Sequence, residues 1–148
     1  MQNFNGDENM KDYIRNVQYY ETDKMGIVHH SNYIKWFEEA RIFYMQELGF
    51  LYKYMEDKGV MIPVLGISAK YSSGAAYGDR VRIKTRINKI SAVKLEFYYE
   101  ISDVETGEIR VTGTSSHCFV NENFRPCSIK KKFPDFYEKC LEIVKVEN

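Results

Sequence analysis

The chain has 148 residues, with 21 Lys+Arg against 21 Asp+Glu and a formal net charge of zero. That balance gives no electrostatic pull toward nucleic acid or an anionic membrane, and no apolar run approaches the roughly 20 residues of a membrane-spanning helix. The length suits one domain with a substantial core, expected over 13–148 behind a flexible stretch over 1–12. That first stretch is polar and acidic, without the cationic segment and apolar run of a secretory signal. Cys118, Cys127 and Cys140 are an odd number without metal-ligand spacing, which predicts unpaired thiols in a reducing, cytoplasmic setting. Aromatic residues are unusually many, 12 Tyr and 9 Phe, so the elements that carry them need large partners.

Residues 13–20, YIRNVQYY, are β-branched and aromatic and predict a strand. A polar loop containing Gly26 follows over 21–30. From Ser31 the period changes: Tyr33, Trp36, Phe37, Ala40, Phe43, Tyr44 and Leu48 recur at helical spacing, with Lys35, Glu38, Glu39 and Arg41 between them. Ser31 or Asn32 is the expected cap and Gly49 the expected stop of a helix of about 16 residues. Residues 51–58 predict another helical turn or two, ended by Gly59.

Beyond that point the chain reads as strands. Residues 61–71 are β-rich, and Pro63 places the start of that strand at an edge. After a turn over 72–79, Val81, Ile83, Thr85 and Ile87 alternate with Arg80, Arg82, Lys84 and Arg86. The next strand sets Val93, Leu95, Phe97, Tyr99 and Ile101 against Lys94, Glu96, Tyr98 and Glu100. One basic and one partly acidic row on adjacent strands invite cross-strand pairing, so the charges read as a solvated sheet face. Residues 105–107 make a hairpin turn, 108–120 a long final strand, and 133–144 an amphipathic helix. The order is strand, long helix, then four strands. It predicts an α+β fold, with one helix laid on an antiparallel sheet.

Several constellations drop out. The run Gly66-Ile67-Ser68-Ala69-Lys70 begins like a nucleophile elbow but has lysine where the second glycine belongs. There is no glycine-rich phosphate loop. His117 and Cys118 are neighbours on a strand, so they point to opposite faces. His29, His30 and Asp23 lack the spacing of a metal site, and no metal is expected.

What remains is the segment from Tyr20 to Tyr33. Asp23 lies in the loop just before the long helix, whose first turn has amides without intrahelical partners and a partial positive charge. Gly26 permits a tight turn that brings the carboxylate back toward those amides. An acid and an oxyanion donor facing one small volume suit attack of water on an activated carbonyl. From the residues alone, Asp23 as a plain cap of loop and helix stands equally beside that chemistry.

The stretch Val17 to Arg41, VQYYETDKMGIVHHSNYIKWFEEAR, closely resembles hotdog-fold acyl-CoA thioesterases of the 4-hydroxybenzoyl-CoA thioesterase type, especially the YbgC-like branch. Thr22, Asp23, Gly26, Val28, His30 and Tyr33 carry the signature. A looser similarity runs through Tyr77-Gly78-Asp79 and the strands to about Pro126. The resemblance implies a hotdog fold, a long central helix wrapped by a curved antiparallel sheet of about five strands. It implies Asp23 as catalytic carboxylate, either nucleophile or general base. It implies the backbone N–H at His30 as donor to the thioester carbonyl, with the His30 imidazole as a second donor or a structural bond. Gly26, Val28 and Tyr33 are the implied substrate-binding positions, Tyr33 packing beneath the site. Coenzyme A is then part of the substrate and no separate cofactor is needed. The implied assembly is a homodimer or homotetramer joined edge to edge, with sites at the interface.

In one place the chain departs from the pattern. Many relatives have adjacent arginines in the turn before the fourth strand, where CoA phosphates bind, and this chain reads Lys89-Ile90-Ser91-Ala92-Val93-Lys94. Lys89 and Lys94 are the local candidates, and Lys130-Lys131-Lys132 is the other basic run. Two competing functions are a hotdog dehydratase, which typically has its acid on the helix, and a non-catalytic acyl-CoA-binding module, which would lack Asp23. Acyl length and aromaticity are not separable from core packing at this level.

Overall fold

The computed structural model describes residues 10–147; most of the stretch expected to be flexible, residues 1–9, lies outside them. In chain order the elements are β1 (Tyr13–Asn16), α1 (His30–Leu48), α2 (Tyr52–Asp57), β2 (Val64–Tyr71), β3 (Arg80–Ile90), β4 (Lys94–Asp103), β5 (Ile109–Cys118), α3 (Ile129–Lys132) and α4 (Pro134–Glu147). The five strands form one antiparallel sheet in the order β1-β3-β4-β5-β2. With α1 laid on it, this is the α+β hotdog architecture.

The two periods in the sequence meet at one core. Along β3 and β4 every second residue is buried: Val81, Ile83 and Ile87 beside Leu95, Phe97, Tyr99 and Ile101. Trp36, Phe37, Ala40 and Tyr44 bring the aromatic stripe of α1 down on that row. Phe37 stacks on Tyr99, ring centroids 4.4 Å apart and nearly parallel. Each fully buried side chain of this size contributes roughly 1.5–3 kcal/mol. Gly113 of β5 makes the contact close: a Cβ there would stand 2.7 Å from the Phe37 ring. Gly49, at φ +90°, turns the chain out of the helix and donates to Gln46 O.

Several boundaries differ from expectation. The first strand ends at Asn16 rather than residue 20, because Tyr19–Glu21 winds into a 3-10 turn whose amides bond Gln18 O and Tyr19 O. Helix α1 is 19 residues long and begins at His30, capped by His29, whose Nδ1 accepts the Ser31 N–H. Arg41, expected on the polar face, is buried and donates from Nη1 to the Tyr99 hydroxyl at 3.0 Å. Val93 lies in the turn before β4, 42 % exposed, rather than heading its inward row. Lys84 does stand opposite Glu100, while Arg82 pairs with Asp12 at 3.6 Å and Arg80 with Glu105 at 3.7 Å.

The sheet ends in β1 on one side and β2 on the other. As Pro63 predicted, β2 is an edge, and it carries Val64, Leu65, Ile67 and Tyr71 at 41–56 % exposure. Among the described residues no helix is long and apolar enough to cross a membrane.

Candidate active site

Between β1 and α1 the chain folds into a miniature hairpin. Thr22 bridges to Val28, the Asp23 N–H donates to Ile27 O at 2.8 Å, and the Gly26 N–H donates to Asp23 O at 3.0 Å. Gly26 has φ +81°, a left-handed conformation that a side chain would strain, so glycine belongs at this turn. The hairpin is anchored below: the Val28 N–H donates to Ala75 O, Ile27 bridges to Ala76, and the Val28 side chain is buried in the core.

Asp23 is half-buried at the head of this hairpin, and its Oδ1 accepts the Met25 N–H at 2.8 Å. The carboxylate therefore caps its own turn. It does not cap the helix, because His29 does. At the start of α1 the Ser31 amide is taken by His29 Nδ1, and His30 is the first helical residue, whose N–H has no carbonyl one turn earlier to bond. The acid thus stands on the hairpin that leads directly into a helix start with its partial positive charge.

The His30 ring is exposed, packed at 4.3 Å on the His29 ring and at 6.2 Å against the edge of Tyr71. The Tyr71 hydroxyl donates to His30 O at 3.4 Å. Tyr33 lies beneath, buried against Trp36 and Tyr71, with its hydroxyl accepting the Ala75 N–H at 3.0 Å. Burial raises its pKa above the usual tyrosine value. Tyr33 and Val28 therefore hold the same stretch around Ala75, one from the helix and one from the hairpin.

Lys89 and Lys94 come together, but at the far end of the sheet. Asp23's hairpin is bound to the residues just before β3, and Lys89 sits near the last residue of that strand. Both lysines line a cavity of about 650 Å³ with Leu65, Ser91, Leu95 and His117. Lys130–Lys132 lie on α3, and Lys130 covers the Tyr137 ring. Among the described residues there is no cluster of three or more His, Cys, Asp or Glu side chains able to hold a metal.

The residue that sequence reasoning missed is Glu21. It is 4 % exposed and sits where β1, the hairpin and α1 converge. Its Oε1 accepts the Gln18 N–H at 2.8 Å, and its Oε2 accepts Arg15 Nη1 at 2.8 Å and Trp36 Nε1 at 2.7 Å. The signal in the sequence was an acid directly before the Thr22-Asp23 pair, six residues after an arginine.

The profile described as the thioesterase-like superfamily matches residues 17–141. The chain is 42% identical over 127 residues to the "Putative acyl-CoA thioesterase YneP" of Bacillus subtilis (strain 168), covering 83% of this chain and 91% of that protein. It is 26% identical over 127 residues to "Acyl-CoA thioesterase YbgC" of Helicobacter pylori (strain ATCC 700392 / 26695), covering 80% and 93%. Among solved structures, the DHNA-CoA thioesterase of Staphylococcus aureus superposes with a TM-score of 0.87 at 34% identity, over 93% of this chain and 92% of that one.

Proposed function

The chain belongs to the thioesterase-like superfamily and is a thioesterase, and from that premise we propose that it hydrolyses an acyl-CoA thioester to the free acid and CoA. The observation that carries this is Asp23 on a braced hairpin directly before the amino end of α1. The thioester carbonyl oxygen takes the His30 N–H at the helix start, where developing negative charge is stabilised. Asp23 removes a proton from water as the water oxygen adds to the carbonyl carbon, or its carboxylate adds there directly. In the first route the C–S bond then breaks, and CoA leaves as thiolate and takes the water's proton back from Asp23. In the second the C–S bond breaks to leave CoA thiolate and an acyl-aspartate anhydride, and water then cleaves the anhydride, releasing the acid, restoring the Asp23 carboxylate and supplying the thiolate's proton. Tyr33, Val28 and Gly26 shape and support the acyl site rather than react. These residues supply base and electrophile without a cofactor, and the cytoplasm is the expected place of work.

Coenzyme A needs a second contact region, and the cavity walled by Lys89 and Lys94, with Glu96 also in its lining, offers two cations to the phosphates. In one chain that cavity and Asp23 lie at opposite ends of the sheet. Antiparallel pairing of two β2 edges would bring the Val64 end of one chain to the Tyr71 end of the other, and so one chain's lysines to the other's Asp23. A homodimer, or a homotetramer built from two, is the assembly this requires.

The test is thiol release from a panel of acyl-CoA esters (short, long, branched and aromatic) by the purified protein. At least one ester should release one CoA thiol per acid formed. Intact esters across the whole panel, with a folded dimer, would refute the proposal.

A further inference from the structure

We infer that Glu21 is a positioning residue for this reaction, the group that fixes Asp23 relative to the helix start; the inference rests on the assignment of Asp23 above. Three elements close on its carboxylate, through Arg15 of β1, the Gln18 amide of the 3-10 turn and the Trp36 indole of α1. Its backbone closes the other side: Glu21 O accepts the His29 N–H at 2.9 Å and Asn32 Nδ2 at 2.9 Å. One residue thereby binds the first strand, the base of the Asp23 hairpin, the helix cap and the helix body. Asp23 is two residues downstream with a tight turn between it and His29, so the hairpin inherits its placement from Glu21.

The surroundings hold the carboxylate in one place. Arg15 pairs with Glu21 at 2.8 Å, also reaches Glu39 at 3.3 Å, and lies 4.6 Å over the Trp36 ring. A buried acid with three donors has no second arrangement of equal quality, because any displacement strands a buried donor. Glu21 is walled off from solvent and touches no reacting atom, so its contribution is geometric. Reacting groups displaced by about 1 Å can lose on the order of a hundredfold in rate. The effect belongs on turnover, since the CoA-binding surface lies elsewhere.

The experiment compares Glu21→Gln with wild type on a CoA ester that the wild type hydrolyses. The amide keeps the size of the side chain but turns one acceptor into a donor facing either the Gln18 N–H or Arg15 and Trp36. Turnover should fall about tenfold to a hundredfold, with KM within about twofold. Ile143→Ala, a core truncation on α4, is the control: it should lower Tm at least as far while kcat per folded molecule stays at the wild-type value. Arg15→Gln combined with Glu21→Gln should be no slower than Glu21→Gln alone, because the two act as one unit. Where Glu21→Gln does not fold, Trp36→Phe decides, since it deletes the indole donor and should lower kcat with KM unchanged. Wild-type kcat in the deciding variant, or a loss equalled by Ile143→Ala, overturns the inference. If Asp23→Asn is inactive and Glu21→Gln is normal, only the Glu21 role falls. If Asp23→Asn turns over normally, the Asp23 assignment falls and takes the Glu21 role with it.

Discussion

At the scale of single residues, polar groups inside this fold are held by other polar groups, and where the pairing is incomplete a pH dependence follows. The Tyr99 hydroxyl bonds Arg41 and the Ser115 hydroxyl, and Ser115 bonds His117 Nε2 at 2.7 Å, all beneath the sheet. This serine and histidine resemble a hydrolytic pair only in composition: Ser115 and His117 are 0 % and 1 % exposed, with His117 at the wall of the lysine cavity and far along the sheet from Asp23. Burial, helped by the Arg41 charge, pushes the His117 pKa down to about 4 from the usual 6.5. The unfolded chain then binds this proton more readily than the folded one. The stability His117 contributes is complete above about pH 6.5 and is lost as pH falls from there toward 4. Tm measured across that window should drop more steeply for wild type than for His117→Gln, with the two curves parallel above pH 7. Curves parallel down to pH 4 would show that His117 is not held neutral.

At the scale of elements, close packing between α1 and β5 depends on an absent side chain. A methyl at Gly113 would meet the Phe37 ring at 2.7 Å on one side and the Ser68 carbonyl of β2 on the other. Gly113→Ala should therefore destabilise the fold by about 1–3 kcal/mol, the usual cost of overpacking, read from chemical denaturation with an unchanged m-value. A loss below about 0.5 kcal/mol would mean that α1 sits further from the sheet than described. The alternation on β3 and β4 was legible in the sequence because burial imposes a period of two on neighbouring residues. The aromatic stripe of α1 was legible for the same reason, as were Gly49 as a stop and Asp23 and Gly26 as members of one turn. The end of β1, the His29 cap and the burial of Arg41 were not. Two are set by bonds to residues that the fold brings near, Glu21 to Trp36 and Arg41 to Tyr99 across 58 positions of sequence, and the His29 cap by a local bond to the Ser31 amide from a residue type that is not a usual cap. Glu21 escaped notice because a lone acid in a polar loop has no periodicity to betray its burial.

At the scale of the whole molecule, β2 is the last strand of the sheet among the described residues and carries apolar residues on its edge, and Asp23 and the lysine cavity stand at opposite ends of the sheet. Pairing of two β2 edges answers both features at once. Sedimentation at micromolar concentration should give a dimer or larger, and Ile67→Lys on the edge should yield monomer with little activity; a fully active monomer would contradict this. Mixing an Asp23→Asn chain with a Lys89→Ala/Lys94→Ala chain should restore about a quarter of wild-type turnover, since half the dimers are mixed and each has one intact site. Turnover no higher than the sum of the two parents would place both groups in one chain. Hydrolysis rests most heavily on Asp23 itself, and thiol release by Asp23→Asn, freed of any deamidated fraction and matched to wild type in fold and assembly, tests that role most directly. The amide keeps the shape but is neither base nor carboxylate nucleophile, so turnover should fall by more than about a hundredfold while CoA binding persists; near-wild-type turnover would contradict the account.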